Sequence, residues 1–132
     1  MIALDTNVLV RYLVEDEPAD QCERAAALIE GTLDSGTPIF LSNIVLCELV
    51  WVLESCYGLP GPQIADTLER LIETEQLRFT EPSLLHRAVD DYRSSRGDFA
   101  DFLIRELARS HGCSTVATFD QALLDHDDFV EP

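Results

Sequence analysis

Short apolar runs alternate with longer stretches of helical period along this chain. Ile2 to Leu4, Pro38 to Leu41, Leu77 to Thr80 and Ser114 to Thr118 read as brief buried strands, with a weaker fifth at Asp128 to Val130. Between them, Cys22, Ala25, Ala26, Ile29 and Leu33 recur at helical spacing after Pro18, which suits a first helical turn. Pro62 opens a similar pattern through Ile64, Leu68, Leu71 and Ile72. Leu84, Leu85, Ala88, Val89 and Tyr92 form a further apolar face, and Phe102, Leu103, Leu107 and Ala108 form another that stops at Gly112. Two helices fall in each of the first three crossovers, and strands joined by such long connections pair in parallel. The pattern predicts an α/β sandwich with helices on both faces, in which ligands bind beyond the carboxyl ends of the strands.

The chain has 132 residues, 46% hydrophobic, without repeats, low-complexity segments or a dividing linker, which predicts a single domain over 1–132. Against 25 acidic residues stand nine basic ones, giving a formal charge of -16. That excess serves solubility or adaptation to a salt-rich cytoplasm, and it excludes a broadly basic surface that coats nucleic acid. All nine basic residues are Arg. Schiff-base, P-loop and lysine-dependent phospho-acceptor chemistry are therefore excluded, and with them receiver domains and dehalogenase-type phosphatases.

The first strand starts next to Met1, which leaves no room for a leader and predicts a cytoplasmic protein. The longest apolar stretch, Ile44 to Leu53, is broken by Glu48 and falls short of the roughly 20 residues a bilayer span needs. Cys22, Cys47, Cys56 and Cys113 form no C-x-x-C pair and are expected to be buried thiols. His86, His111 and His126 are scattered, without ligand spacing, and are expected at the surface; zinc is not indicated.

Acidic residues at strand ends carry the chemistry. Asp5 follows the first strand and Asp120 follows the fourth, so parallel pairing brings both to one edge; taken singly, each is better explained as a cap of the helix that follows. Glu48 lies in Ser42 to Leu53, apolar nearly all round, a helix expected to be buried or shared with a partner subunit. A carboxylate there needs a cation, either an arginine such as Arg11 or a metal ion, and the metal accounts for it better. In Gly97-Asp98-Phe99-Ala100-Asp101, Asp98 suits an N-cap, and Asp101 suits both the helix dipole and the site. These acids cannot all remain ionised together without a counter-ion. With no His or Cys beside them, Mg2+ or Mn2+ is the expected cofactor.

The opening Asp5-Thr6-Asn7-Val8-Leu9-Val10-Arg11-Tyr12-Leu13, the helix around Glu48-Leu49-Val50-Trp51, Asp98-Phe99-Ala100-Asp101 and Thr118-Phe119-Asp120 resemble the PIN-domain proteins and, more narrowly, the VapC toxins. The resemblance covers essentially the whole chain in order. It implies a Rossmann-like α/β/α fold with a central parallel sheet of about five strands. It also implies divalent-metal-dependent ribonuclease activity by a metal-activated water and pairing with a VapB antitoxin. By the same resemblance Asp5, Glu48, Asp101 and Asp120 match the acidic quartet and Asp98 an accessory acid. Thr6, Asn7 and Thr118 match supporting polar residues. Arg11 is the candidate phosphate contact, with pairing to a site acid as its alternative. The apolar helix with Trp51 and Tyr57 nearby predicts a homodimer, in keeping with the family's habit. A housekeeping nuclease and an inactive PIN-like binding module are the competing readings.

Overall fold

Local chemistry sets the helix starts in the computed structural model, which describes all 132 residues. Asp5 caps α1 (Thr6–Leu13), and the Ser42 hydroxyl caps α3 (Asn43–Ser55) by accepting the Val45 N–H at 3.2 Å. Pro62 occupies the first turn of α4 (Gly61–Glu73) and Pro82 begins α5 (Pro82–Ser94), where a missing N–H is harmless. Pro18 falls one residue earlier than its pattern suggested, as the N-cap of α2 (Ala19–Asp34). Helix α6 (Phe99–Ser110) ends where Gly112 adopts a φ of +87°, and Cys113 donates back to the Ala108 carbonyl at 3.0 Å.

The strands are β1 (Ile2–Ala3), β2 (Ile39–Phe40), β3 (Leu77–Arg78), β4 (Val116–Ala117) and β5 (Phe129–Val130). Helix pairs α1–α2, α3–α4 and α5–α6 fill the first three crossovers as expected. Every strand pairing is parallel, with Ile2 opposite Ile39, Ile39 opposite Leu77, and Val116 opposite Phe129. The α/β architecture agrees with the sequence reading, but the strands pair as a sheet β1-β2-β3 and a separate pair β4-β5. Each regular strand is shorter than its apolar run, although single bonds such as Leu41 N–H to the Arg78 carbonyl at 3.0 Å extend the ladder.

One apolar core joins both sheets to the helices. Ile39 and Leu41 from the β2 region, Leu46 and Leu49 from α3, and Phe99 and Phe102 from α6 are among its fully buried members. The core includes Leu123 and Phe129, so burial fastens the β4-β5 segment where sheet hydrogen bonds do not. Gly97, at a φ of +123°, lets that segment close in: a Cβ there would lie 2.6 Å from a Leu123 methyl. Arg105 and Glu106 are also buried, side by side on α6. No helix is long and apolar enough to cross a membrane.

Candidate active site

Asp5 leaves β1 through buried Leu4 and turns directly into α1. Its Oδ1 accepts the Thr6 N–H at 2.8 Å, so the capping alternative is realised, while Oδ2 makes no protein hydrogen bond. Thr6 is buried and donates its hydroxyl to Glu48 Oε1 at 2.9 Å. One threonine therefore fixes two acids that lie 43 positions apart in the chain. A cavity of about 560 Å³ opens beside them, lined by Asp5, Thr6, Asn7, Arg11, Glu48 and Trp51 among others.

Glu48 corrects the sequence reading. Helix α3 buries Val45, Leu46, Leu49, Val50 and Leu53, so its other face, carrying Ile44, Glu48 and Trp51, is exposed. The carboxylate is solvated rather than sunk in apolar surroundings. It has no arginine partner either: Arg11 Nε donates to Gln21 Oε1 at 3.1 Å.

Asp98 and Asp101 lie at the start of α6, and Asp120 follows β4. Asp98 is the N-cap and forms a capping box with Asp101, whose Oδ2 accepts the Asp98 N–H at 3.2 Å. Burial pushes the Asp101 carboxyl above its ordinary value; the bond from Asp98 N–H opposes this, and the charges of Asp98 and Asp120 add to the rise. Thr118 Oγ1 accepts the Asp120 N–H at 3.0 Å, and Asp120 Oδ1 accepts the Ala122 N–H at 3.0 Å.

None of these five acids is ion-paired. All ion pairs run through Arg87, Arg93, Arg105 and Arg109 to other carboxylates. Asp5, Glu48, Asp101 and Asp120 each use one oxygen in an orienting bond and keep the other without a protein partner. Hard, anionic oxygens left uncompensated suit a cation that prefers carboxylates and retains water, as Mg2+ and Mn2+ do. Yet no three of the acids converge to ligand spacing, so the expected single set of Asp5, Glu48, Asp98, Asp101 and Asp120 is not preformed. Thr6 links Asp5 to Glu48, the capping box links Asp98 to Asp101, and Asp120 is held in its own turn.

Other residues depart from the sequence reading. Cys56 and Cys113 are exposed and Cys22 and Cys47 half-buried, so none is the buried thiol expected. His126 is half-buried, edge-on to Phe102 and Phe129, not at the open surface. Cys56 and Tyr57, beyond the end of α3, also line the acid cavity; periodicity within the helix could not place them there. Trp51 was signalled by its position one turn from Glu48.

The profile of the PIN domain family matches residues 2–128, a span that includes every candidate acid. A VapC ribonuclease from Aquifex aeolicus (strain VF5) is 27% identical over 119 residues, which cover 90% of this chain and 87% of that protein. With the profile spanning the three helix pairs, strands β1 to β4 and every candidate acid, the chain belongs to the PIN domain family.

Proposed function

We propose that this protein is a divalent-metal-dependent ribonuclease that hydrolyses RNA phosphodiester bonds, and that it acts as the toxin of a pair with a VapB-type antitoxin. The observation that carries the reading is the set of oriented, unpaired carboxylates in a protein whose arginines form their ion pairs elsewhere. Similarity to a VapC ribonuclease along most of both chains supports it.

Asp5, Glu48, Asp101 and Asp120 are the residues that would hold Mg2+ or Mn2+, with Asp98 accessory. Such an ion lowers the pKa of water and offsets charge on a reacting phosphate. Water displaces the ribose oxygen at phosphorus directly, so no enzyme nucleophile is needed. Thr6 orients Glu48, and Thr118 holds the turn that presents Asp120. Asn7 lines the cavity, and Arg11 offers a guanidinium to a substrate phosphate. The exposed Ile44 and Trp51 on α3 support a homodimer, and the reading carries a cytoplasmic location with it.

Asp5→Asn tests the proposal. Asn caps a helix about as well as Asp, so the fold is expected to stay intact while the charge that attracts the cation is lost. RNA cleavage in Mg2+ or Mn2+ should fall to background. Equal cleavage by wild type and variant, with matching circular dichroism, would overturn the assignment.

A further inference from the structure

A second cavity, of about 650 Å³, lies between α1 and α2 and shares Asn7 and Arg11 with the wall of the acid cavity. Its polar side carries Arg11, Gln21 and Arg24, and Val8, Ala25 and Leu28 supply an apolar side. Of the nine arginines, Arg87, Arg93, Arg105 and Arg109 form ion pairs, and of the five that do not, Arg11 and Arg24 line this one cavity. Arg24 forms no ion pair, and Arg11 binds only the neutral Gln21, through Nε, which leaves its terminal nitrogens undirected by any acid. Two guanidiniums without an ion pair thus line one concavity that shares Asn7 and Arg11 with the acid cavity.

We propose that this cavity is a substrate subsite, in which Arg24 grips a phosphate of single-stranded RNA next to the one cleaved. The inference rests on the ribonuclease reading and extends it to a residue outside the acid cavity. RNA fits for three reasons. The cavity adjoins the place where a phosphodiester must react, its guanidiniums match phosphate oxygens, and its apolar side can cover a ribose or base face. A strand crossing a surface of net charge -16 needs fixed cations beside the acids. Gln21 has a positioning role here, since its Oε1 accepts from Arg11 Nε at 3.1 Å and so restrains that guanidinium.

The test compares wild type with Arg24→Gln, in Mn2+, on a single-stranded oligoribonucleotide and on a dinucleoside monophosphate that has no neighbouring phosphate. Loss of one charged hydrogen-bonding contact predicts that the ratio of kcat/KM for the longer over the shorter substrate falls about tenfold, through KM. The log-log salt slope for oligoribonucleotide binding should decrease by about 0.7. Arg24→Lys, which keeps the charge, should restore that slope. An equal loss on both substrates, or an unchanged KM and slope, would overturn the subsite. Fluorescence anisotropy in chelator separates this outcome from failure of the nuclease reading. Arg24-dependent RNA binding by a protein that cleaves neither substrate would uphold the cavity and sink the catalytic proposal. If polyglutamate displaces the oligoribonucleotide as well as RNA does, the cavity senses anionic charge alone and the RNA assignment falls.

Discussion

Replacing Glu106 by Gln removes one negative charge from a place where three guanidiniums meet. The Glu106 side chain is 1% exposed and accepts hydrogen bonds from Arg87, Arg105 and Arg109, each at 3.0 Å. Arg105 is itself only 4% exposed, stacks over the Phe102 ring at 5.3 Å and also binds Asp91. A glutamine keeps the shape but turns one acceptor into a donor that opposes guanidinium N–H groups. Removing one member of a buried ion pair costs about 3–5 kcal/mol, and the lower end applies because Arg87 and Arg109 are half-exposed and can rehydrate. For a chain of this length, about 3 kcal/mol lowers the Tm by about 11 °C. The change also trims the net charge of -16, which acts in the opposite direction. That relief is spread over the surface and screened by salt, so it amounts to only a few tenths of a kcal/mol. Asp34→Asn, at an exposed acid without an ion pair, isolates this effect and should shift stability by less than about 0.5 kcal/mol. Thermal melts of the three proteins in chelator decide between the two effects. A Glu106→Gln protein melting within about 2 °C of wild type would refute the view that this network outweighs global repulsion. The network also bears on the site, because Arg109 and Arg105 reach Asp128, in the segment that carries Asp120.

Other changes probe the acids and the exposed face. Glu48→Gln should leave the metal-free melt within about 0.5 kcal/mol of wild type, because the carboxylate is solvated and an amide oxygen can still accept the Thr6 hydroxyl; saturating Mg2+ should then raise the wild-type Tm more. A metal-independent loss of stability would contradict this. Asp101→Asn should melt higher than wild type at neutral pH in chelator. A carboxyl whose folded pKa is raised binds protons more readily when folded, so stability falls as pH climbs from its ordinary value through the raised one and stays reduced above. The gap between the two proteins should close as the pH drops below that interval, and a variant no more stable at neutral pH would disprove the linkage. Sedimentation at micromolar concentration should show a species heavier than the 14.8 kDa chain, reduced to monomer by Ile44→Arg; a wild type found only as monomer would remove α3 as an interface.

Much of this protein was legible along the chain because the relevant forces act over a few residues. Prolines at helix starts, the Ser42 and Asp98 caps and the Gly112 stop lie where backbone chemistry needs them. The helical lengths between strands impose parallel pairing, which points to strand ends as the place for acids. Four sequence segments then sufficed for the family resemblance, which the match over residues 2–128 bears out. Glu48 shows where this reading stops. A helix apolar nearly all round has no phase that says which face is buried, and α1, α4 and α6 settle that α3 turns Ile44, Glu48 and Trp51 outward. Arg105 and Glu106 show the converse, charged neighbours on α6 drawn inside because Arg87, Asp91 and Asp128 come from other elements to neutralise them. Periodicity and capping are written into neighbouring residues, whereas burial and charge pairing depend on distances between residues far apart in the chain. Those distances also join Asp5 to Glu48 through Thr6 and set Arg24, without an ion pair, in one cavity wall with Arg11.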